Sequence, residues 1–155
     1  MEKKLHTYYM QKALDQAQEA FENNEVPIGA VVVNKEGAVI GVGYNQVEKN
    51  KCQTFHAEVL AVKQACAFIK DWRLDDCWLY VTLEPCTMCM GLLKLSRITG
   101  VVYGPDSPLF GYQLDNAINN QVYNKNAITI IKGVCSEKSV ELLKQFFKNK
   151  RKKSE

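Results

Sequence analysis

Four side chains in two short segments have the types and spacing of a catalytic metal site. His56 is followed two positions later by Glu58, and Cys86 and Cys89 form a C-x-x-C pair further along the chain. One imidazole and two thiolates are ligands that Zn²⁺ prefers, and three protein ligands leave its fourth position open to water, as catalysis requires. We therefore predict one zinc ion per subunit on these three ligands, with Glu58 as the catalytic residue that carries protons.

The sequence around each ligand predicts the start of a helix. Cys86 and Cys89 are three residues apart, so on a helix they project from one face. In a first turn, free N–H groups and the helix dipole favour the thiolate form. His56 opens a helix predicted for 56–69, and Glu58 lies about 200° around that helix from it. This placement suits a proton carrier better than a fourth ligand.

Two other interpretations of the cysteine pair remain open from the residues alone. A structural zinc needs four protein ligands, and Cys52 is the best candidate for the fourth. His6 lies in a polar terminus and is a poorer one. A redox-active pair is the second alternative, but it leaves His56 and Glu58 without a role.

Apolar spacing predicts alternating helices and strands. A helix with an apolar strand on either side of it is a βαβ unit, so the two strands should run parallel. The order predicts an α/β fold, a three-layer α/β/α sandwich around a five-stranded mixed sheet, with a long loop and a short helix within 105–125. The predicted elements are a helix over 8–23 capped by Thr7, strands 28–33 and 38–44, helix 56–69, strand 77–83, helix 86–95 with Pro85 at its start, strands 98–103 and 127–131, and a final helix from Ser136.

Composition places the chain among single-domain globular proteins. It has 155 residues, 46% of them hydrophobic and 24% charged, with a net charge of +3. We predict one domain over 1–155 that ends in a basic tail at about 148–155. No apolar run approaches the ~20 residues of a membrane span, and the polar N-terminus does not resemble a signal peptide. We therefore expect a cytoplasmic protein that does not enter a membrane.

The H-x-E and P-C-x-x-C strings resemble the signature of the cytidine deaminase superfamily. The likeness extends from about residue 8 to residue 152, nearly the whole chain. Within the superfamily, the sequence resembles the bacterial tRNA-specific adenosine deaminases, in segments 25–31, 43–45, 79–86, 96–98 and 142–147.

This resemblance implies a function and a set of contacts. It implies conversion of adenosine to inosine at the wobble position of a tRNA anticodon, by a homodimer that binds the anticodon stem-loop near the subunit boundary. It implies that Asn45 contacts the purine and that the Ala57 amide meets the base. The other substrate contacts expected are Ile28, Asp106, Phe146 and Phe147. Core packing is the alternative role for the two phenylalanines.

Two segments depart from the pattern of these deaminases. Asp-Pro-Thr-Ala commonly precedes their histidine, whereas Cys52-Gln53-Thr54-Phe55 stands here. After the fourth strand they often carry Arg-Asp and a lysine that meet RNA. The segment 104–110 lacks that lysine, and Asp106 matches the family aspartate in one possible register. These departures concern RNA contacts and leave the ligands unchanged.

Two competing functions use the same zinc site. One is deamination of a free nucleobase or nucleoside, of the guanine or cytosine type. The other is a non-catalytic, zinc-stabilised RNA-binding module, for which Glu58 would be dispensable.

Overall fold

The computed structural model describes residues 2–116 and 127–154, and it has a five-stranded sheet of order β2-β1-β3-β4-β5. The elements in chain order are α1 (Glu2–Glu22), β1 (Gly29–Val33), β2 (Val39–Tyr44), α2 (Val47–Asn50), α3 (Ala57–Ile69), β3 (Trp78–Val81), α4 (Thr87–Leu95), β4 (Gly100–Tyr103), a 3-10 turn (Tyr112–Leu114), β5 (Thr129–Ile131) and α5 (Ser136–Ser154).

Helices cover both faces of the sheet. All five residues of β1 are buried, as expected for a strand that packs on two sides. On one face Val31 and Val33 pack with α1. On the other face Ala30 and Val32 pack with residues of α3 and α4. The predicted α/β/α sandwich with a mixed five-stranded sheet is confirmed.

The strand directions bring three chain segments to one end of the sheet. β1 runs antiparallel to β2 and β3, whereas β3, β4 and β5 are mutually parallel, as predicted for the βαβ unit. β2 therefore runs in the same direction as β3 and β4, and the chain leaves all three at the same end. α3 and α4 both begin there, with His56 and Cys86 as their N-cap residues.

Glycine in β2 allows α3 to lie close to the sheet. A Cβ atom at Gly43 would collide with the backbone of Ala57 and Ala61, and one at Gly41 would collide with the Ala61 carbonyl. The first turn of α3, which carries Glu58, is thus fixed against the end of β2.

The N-terminal helix begins earlier than predicted, at Glu2 instead of residue 8. Thr7 is not a cap, because its hydroxyl donates to the Lys3 carbonyl inside the helix. The first turns have no apolar period, since their contact with the sheet is made by His6, whose Nδ1 lies 2.9 Å from the Tyr80 hydroxyl. Good helix formers still make this segment helical.

Other differences are small. Predicted strands are shortened by one to three residues, α2 was not predicted, and Pro85 precedes the N-cap of α4 instead of entering the helix. The predicted loop at 105–125 contains the 3-10 turn, and residues 117–126 lie outside the described residues. None of the helices within 2–116 and 127–154 is long and apolar enough to cross a membrane.

Leu93 tests how far α4 depends on the core. Its side chain is fully buried, whereas Leu5 in α1 is 47% exposed. Leu93→Ala should lower the free energy of unfolding by about 2–5 kcal/mol, because it leaves a cavity. The matched variant Leu5→Ala should change it by less than about 0.5 kcal/mol. Urea unfolding measures both, and equal effects would contradict this packing.

Candidate active site

The histidine and the two cysteines converge although they lie on different helices. The backbone of His56 is extended just before α3, and Nδ1 of its ring lies 3.7 Å from the Cys86 sulfur and 3.4 Å from the Cys89 sulfur. Cys86 precedes the first turn of α4 and Cys89 lies within that turn. The three predicted ligands therefore occupy one site.

The separations suit a tetrahedral metal. Bond lengths of 2.0–2.1 Å to nitrogen and 2.3 Å to sulfur place the two atoms about 3.6 Å apart around zinc. The two N–S distances, 3.4 and 3.7 Å, lie on either side of that value. Among the described residues, these three form the one group of His, Cys, Asp and Glu side chains close enough to hold a metal ion. Cys52 is exposed and outside this group, so the described residues provide no fourth ligand from it.

The two cysteine thiols have very different pKa values. A hydrogen bond from the Cys89 thiol, together with one from His56, lowers the pKa of Cys86 to about 4 despite its partial burial. The same hydrogen bond to Cys86, with burial, raises the pKa of Cys89 above its usual range. One thiolate is thus present at neutral pH, and Cys89 would have to lose its proton to become a second thiolate ligand of a metal.

Glu58 is enclosed beside the ligands. Its side chain is 4% exposed, and burial raises its pKa. The carboxyl group also contacts the Cys89 thiol. Because the raised pKa lets the carboxyl group hold a proton more readily than an exposed glutamate, it suits a residue that both accepts and donates a proton in acid–base catalysis.

Gln53 is a site residue that the sequence pattern did not identify as one. Its Oε1 lies 3.0 Å from His56 Nε2, on the side of the ring away from the sulfurs. An acceptor there holds a proton on Nε2, so Nδ1 is the nitrogen whose lone pair would bind a metal in place of its hydrogen bond to Cys86. No sequence signal marked this residue, because the segment 52–55 departs from the pattern of the deaminases it resembles.

Asn45, Ile28 and Ala57 lie at the same end of the sheet. The Asn45 amide nitrogen donates to the Ile28 carbonyl at 3.0 Å, directly after β2. The Asn45 side chain is nearly buried, with long hydrogen bonds of 3.4 Å to Val26 and Val47. Ala57 is fully buried in the first turn of α3.

Glu25 is a second residue that sequence reasoning missed. It is 2% exposed, and its carboxylate accepts hydrogen bonds from the amides of Glu48 and Lys49, at 3.0 and 2.8 Å. It thereby fixes the start of α2, and with it the segment that follows Asn45.

The remaining predicted contacts fall in two environments. Asp106 and Phe147 line a groove of about 600 Å³ between the segment after β4 and helix α5. Phe146 faces the other way: it is 5% exposed and packs edge-on against Phe21. Phe146 therefore cannot stack on a base in this structure, and its role is the alternative one of core packing.

The sequence is similar to those of known deaminases. The sequence profile of MafB19-like deaminases covers residues 5–151. This chain belongs to that family. It is 37% identical to a tRNA-specific adenosine deaminase of Streptococcus pyogenes, across 94% of this chain and 91% of the relative. It is 40% identical to the enzyme of the same name from Bacillus subtilis, across 94% and 90% of the two chains.

A solved structure agrees with the curated relatives. It comes from a study of A-to-I editing by tRNA:A34 deaminases at the wobble position, and it superimposes with a TM-score of 0.81 at 36% identity. The alignment covers 88% of this chain and 99% of that one. The likeness therefore extends over most of this chain.

Gln53 provides a test of the metal site. Gln53→Ala removes the acceptor of the His56 Nε2 proton, and we expect a divalent metal to bind about tenfold more weakly. Gln18→Ala, an exposed glutamine on α1, should leave the affinity unchanged. Competition with a chromophoric chelator measures both. Equal metal affinities in the two variants would show that Gln53 does not support His56 as a metal ligand.

Proposed function

We propose that this protein is a zinc-dependent hydrolase that converts adenosine to inosine at the wobble position of a tRNA anticodon. The observation that carries the proposal is the His56-Cys86-Cys89 group with Glu58 buried against it, in a chain whose curated relatives are named tRNA-specific adenosine deaminases. The site residues are the ones predicted from the sequence, with Phe146 removed.

The chemistry is hydrolysis of the exocyclic amine: water attacks the purine carbon and ammonia leaves. Zinc, when bound, supplies hydroxide at neutral pH by lowering the pKa of water to about 7. Glu58 accepts one proton of the attacking water and passes it to the ring nitrogen. It then carries the remaining hydroxyl proton to the amine, so that the carbonyl forms as the C–N bond breaks and ammonia leaves. Asn45 and the Ala57 amide hold the base. The side chains of Asn45, Ala57 and Glu58 are buried, so this part of the site excludes bulk water.

The surface beside the site is positively charged, which suits an RNA substrate with its negative phosphates. The groove that holds Asp106 and Phe147 has an apolar floor, and its rim carries Lys144, Lys148 and Arg151 from α5. Cationic side chains above apolar surface suit a strand whose phosphates and bases both make contact. Bases of an anticodon loop are already unstacked, so no duplex has to be opened.

A homodimer fits the outer faces of α3 and α4. Met88 and Leu95 lie seven residues apart, so they share one face of α4, and both are exposed. Phe68 near the end of α3 and Trp72 in the segment that follows the helix are exposed as well. We propose that a second copy of the chain covers this face, with one zinc ion and one deaminase domain in each cytoplasmic subunit.

A free-base deaminase would use the same metal and carboxylate. The basic groove would then have no role in binding. The non-catalytic RNA-binding module would leave the buried Glu58 without a role. Both alternatives are therefore less well supported than the editing enzyme.

A deamination assay tests the proposal. Zinc-loaded protein is incubated with an anticodon stem-loop that carries adenosine at the wobble position, and in parallel with free adenosine, guanine, cytosine and cytidine. We expect inosine in the RNA alone. Turnover of a free base with unchanged RNA would contradict the proposal.

Glu58→Gln separates catalysis from binding. The variant keeps the size of the side chain but cannot accept the proton of water, so deamination should fall by at least about 10²-fold. Zinc content and stem-loop affinity should stay near those of the unmodified protein. Glu22→Gln, an exposed change on α1, is the control. Retained turnover in Glu58→Gln would exclude this mechanism.

A further inference from the structure

Two adjacent apolar side chains project from the segment that follows β4. Leu109 is 76% exposed and Phe110 is 73% exposed, the two highest values among the exposed large hydrophobic residues of the described chain. Exposed apolar residues next to each other at the mouth of a site commonly mark an interaction surface.

The segment is fixed to the strand end that carries the cysteine ligands. Glu84, 4% exposed, accepts hydrogen bonds from the amides of Ser107 and Gln113, at 2.9 and 3.0 Å. Those two amides flank Leu109 and Phe110 on either side. The buried carboxylate therefore closes the segment into a loop whose tip is apolar.

The backbone of the loop also pairs with the metal-ligating segment. Gly111, next to Phe110, forms a bridge with Cys86, and the Tyr112 amide donates to the Pro85 carbonyl at 2.9 Å. A side chain at position 111 would collide with the Glu84 carboxylate. The tip is thus held beside the metal site before any substrate binds, which reduces the entropy lost on binding.

The loop also borders the basic groove. Asp106 and Pro108, which precede the tip, line that groove together with Lys144, Lys148 and Arg151 of α5. The apolar tip therefore adjoins the metal ligands through Gly111 and the cationic surface through Pro108. A ligand that contacts both surfaces needs a flat apolar group to pack on the tip. It also needs a negatively charged backbone to meet the cations of the groove.

We propose that Leu109 and Phe110 form a stacking platform for an unpaired base that flanks the reacting adenosine. The proposal rests on the proposed function and adds a determinant of how the neighbouring base is held. An aromatic ring stacks on any base, so the platform supplies affinity with little choice among bases. The phosphates on either side of the stacked base meet the cations of the groove.

The test uses zinc-loaded Glu58→Gln protein, which binds the stem-loop without converting it. Stem-loops carry 2-aminopurine in place of the base on one side or the other of the wobble adenosine. Fluorescence anisotropy gives affinity, and 2-aminopurine quenching reports stacking. Leu109→Ala with Phe110→Ala is compared with Leu5→Ala plus Tyr8→Ala, an exposed leucine and aromatic pair on α1. Phe110→Trp is the conservative variant.

The platform predicts at least tenfold weaker binding in the Leu109/Phe110 double variant. It also predicts loss of quenching at one flanking position, and affinity in Phe110→Trp within threefold of the parent. The salt dependence of binding should stay the same, because no charge is removed. Affinity within twofold of the Leu5/Tyr8 control would overturn the platform.

A fall in sedimentation mass in the double variant, with unchanged RNA affinity, would overturn it too and assign these residues to contact between copies. Failure of the parent protein to deaminate any stem-loop would instead count against the proposed function, so the two failures are distinguishable.

Discussion

The site depends on one geometric constraint, namely that two helices begin at the same end of a mixed sheet. Because β2, β3 and β4 run in one direction, α3 and α4 start side by side, and their N-cap positions place His56 Nδ1 within 3.7 Å of both sulfurs. The glycines of β2 allow α3 to approach the sheet closely. The convergence of the three candidate ligands, the burial of Glu58 and the position of Asn45 all follow from this arrangement.

The electrostatics of the site follow from its burial. Hydrogen bonds from the Cys89 thiol, from His56 and from the Cys89 amide stabilise negative charge on Cys86 and lower its pKa to about 4. The same enclosure raises the pKa of Glu58. A carboxyl group with a raised pKa thus lies against the Cys89 thiol, next to the Cys86 thiolate that can bind a cation. The buried carboxylates Glu25 and Glu84 hold the surrounding segments through backbone amides.

The sequence predicted the layered fold and the group of His56, Cys86 and Cys89 that could hold a metal ion. Buried strands need apolar runs, and ligand chemistry restricts residue type and spacing. The sequence did not predict what depends on tertiary contact. The first turns of α1 lack an apolar period, since their contact is the polar ring of His6. Gln53 reaches His56 from a loop with no motif, and Glu25 and Glu84 bind amides far along the chain. The position of Phe146 depended on Phe21, a contact that helical spacing alone does not show.

X-ray absorption spectroscopy at the zinc edge would count the ligands of the metal in the zinc-loaded protein. We expect two sulfur ligands at about 2.3 Å, one imidazole nitrogen and one oxygen at 2.0–2.2 Å. A third sulfur with no oxygen would show a closed structural site that includes another cysteine, and would contradict a catalytic role for the metal.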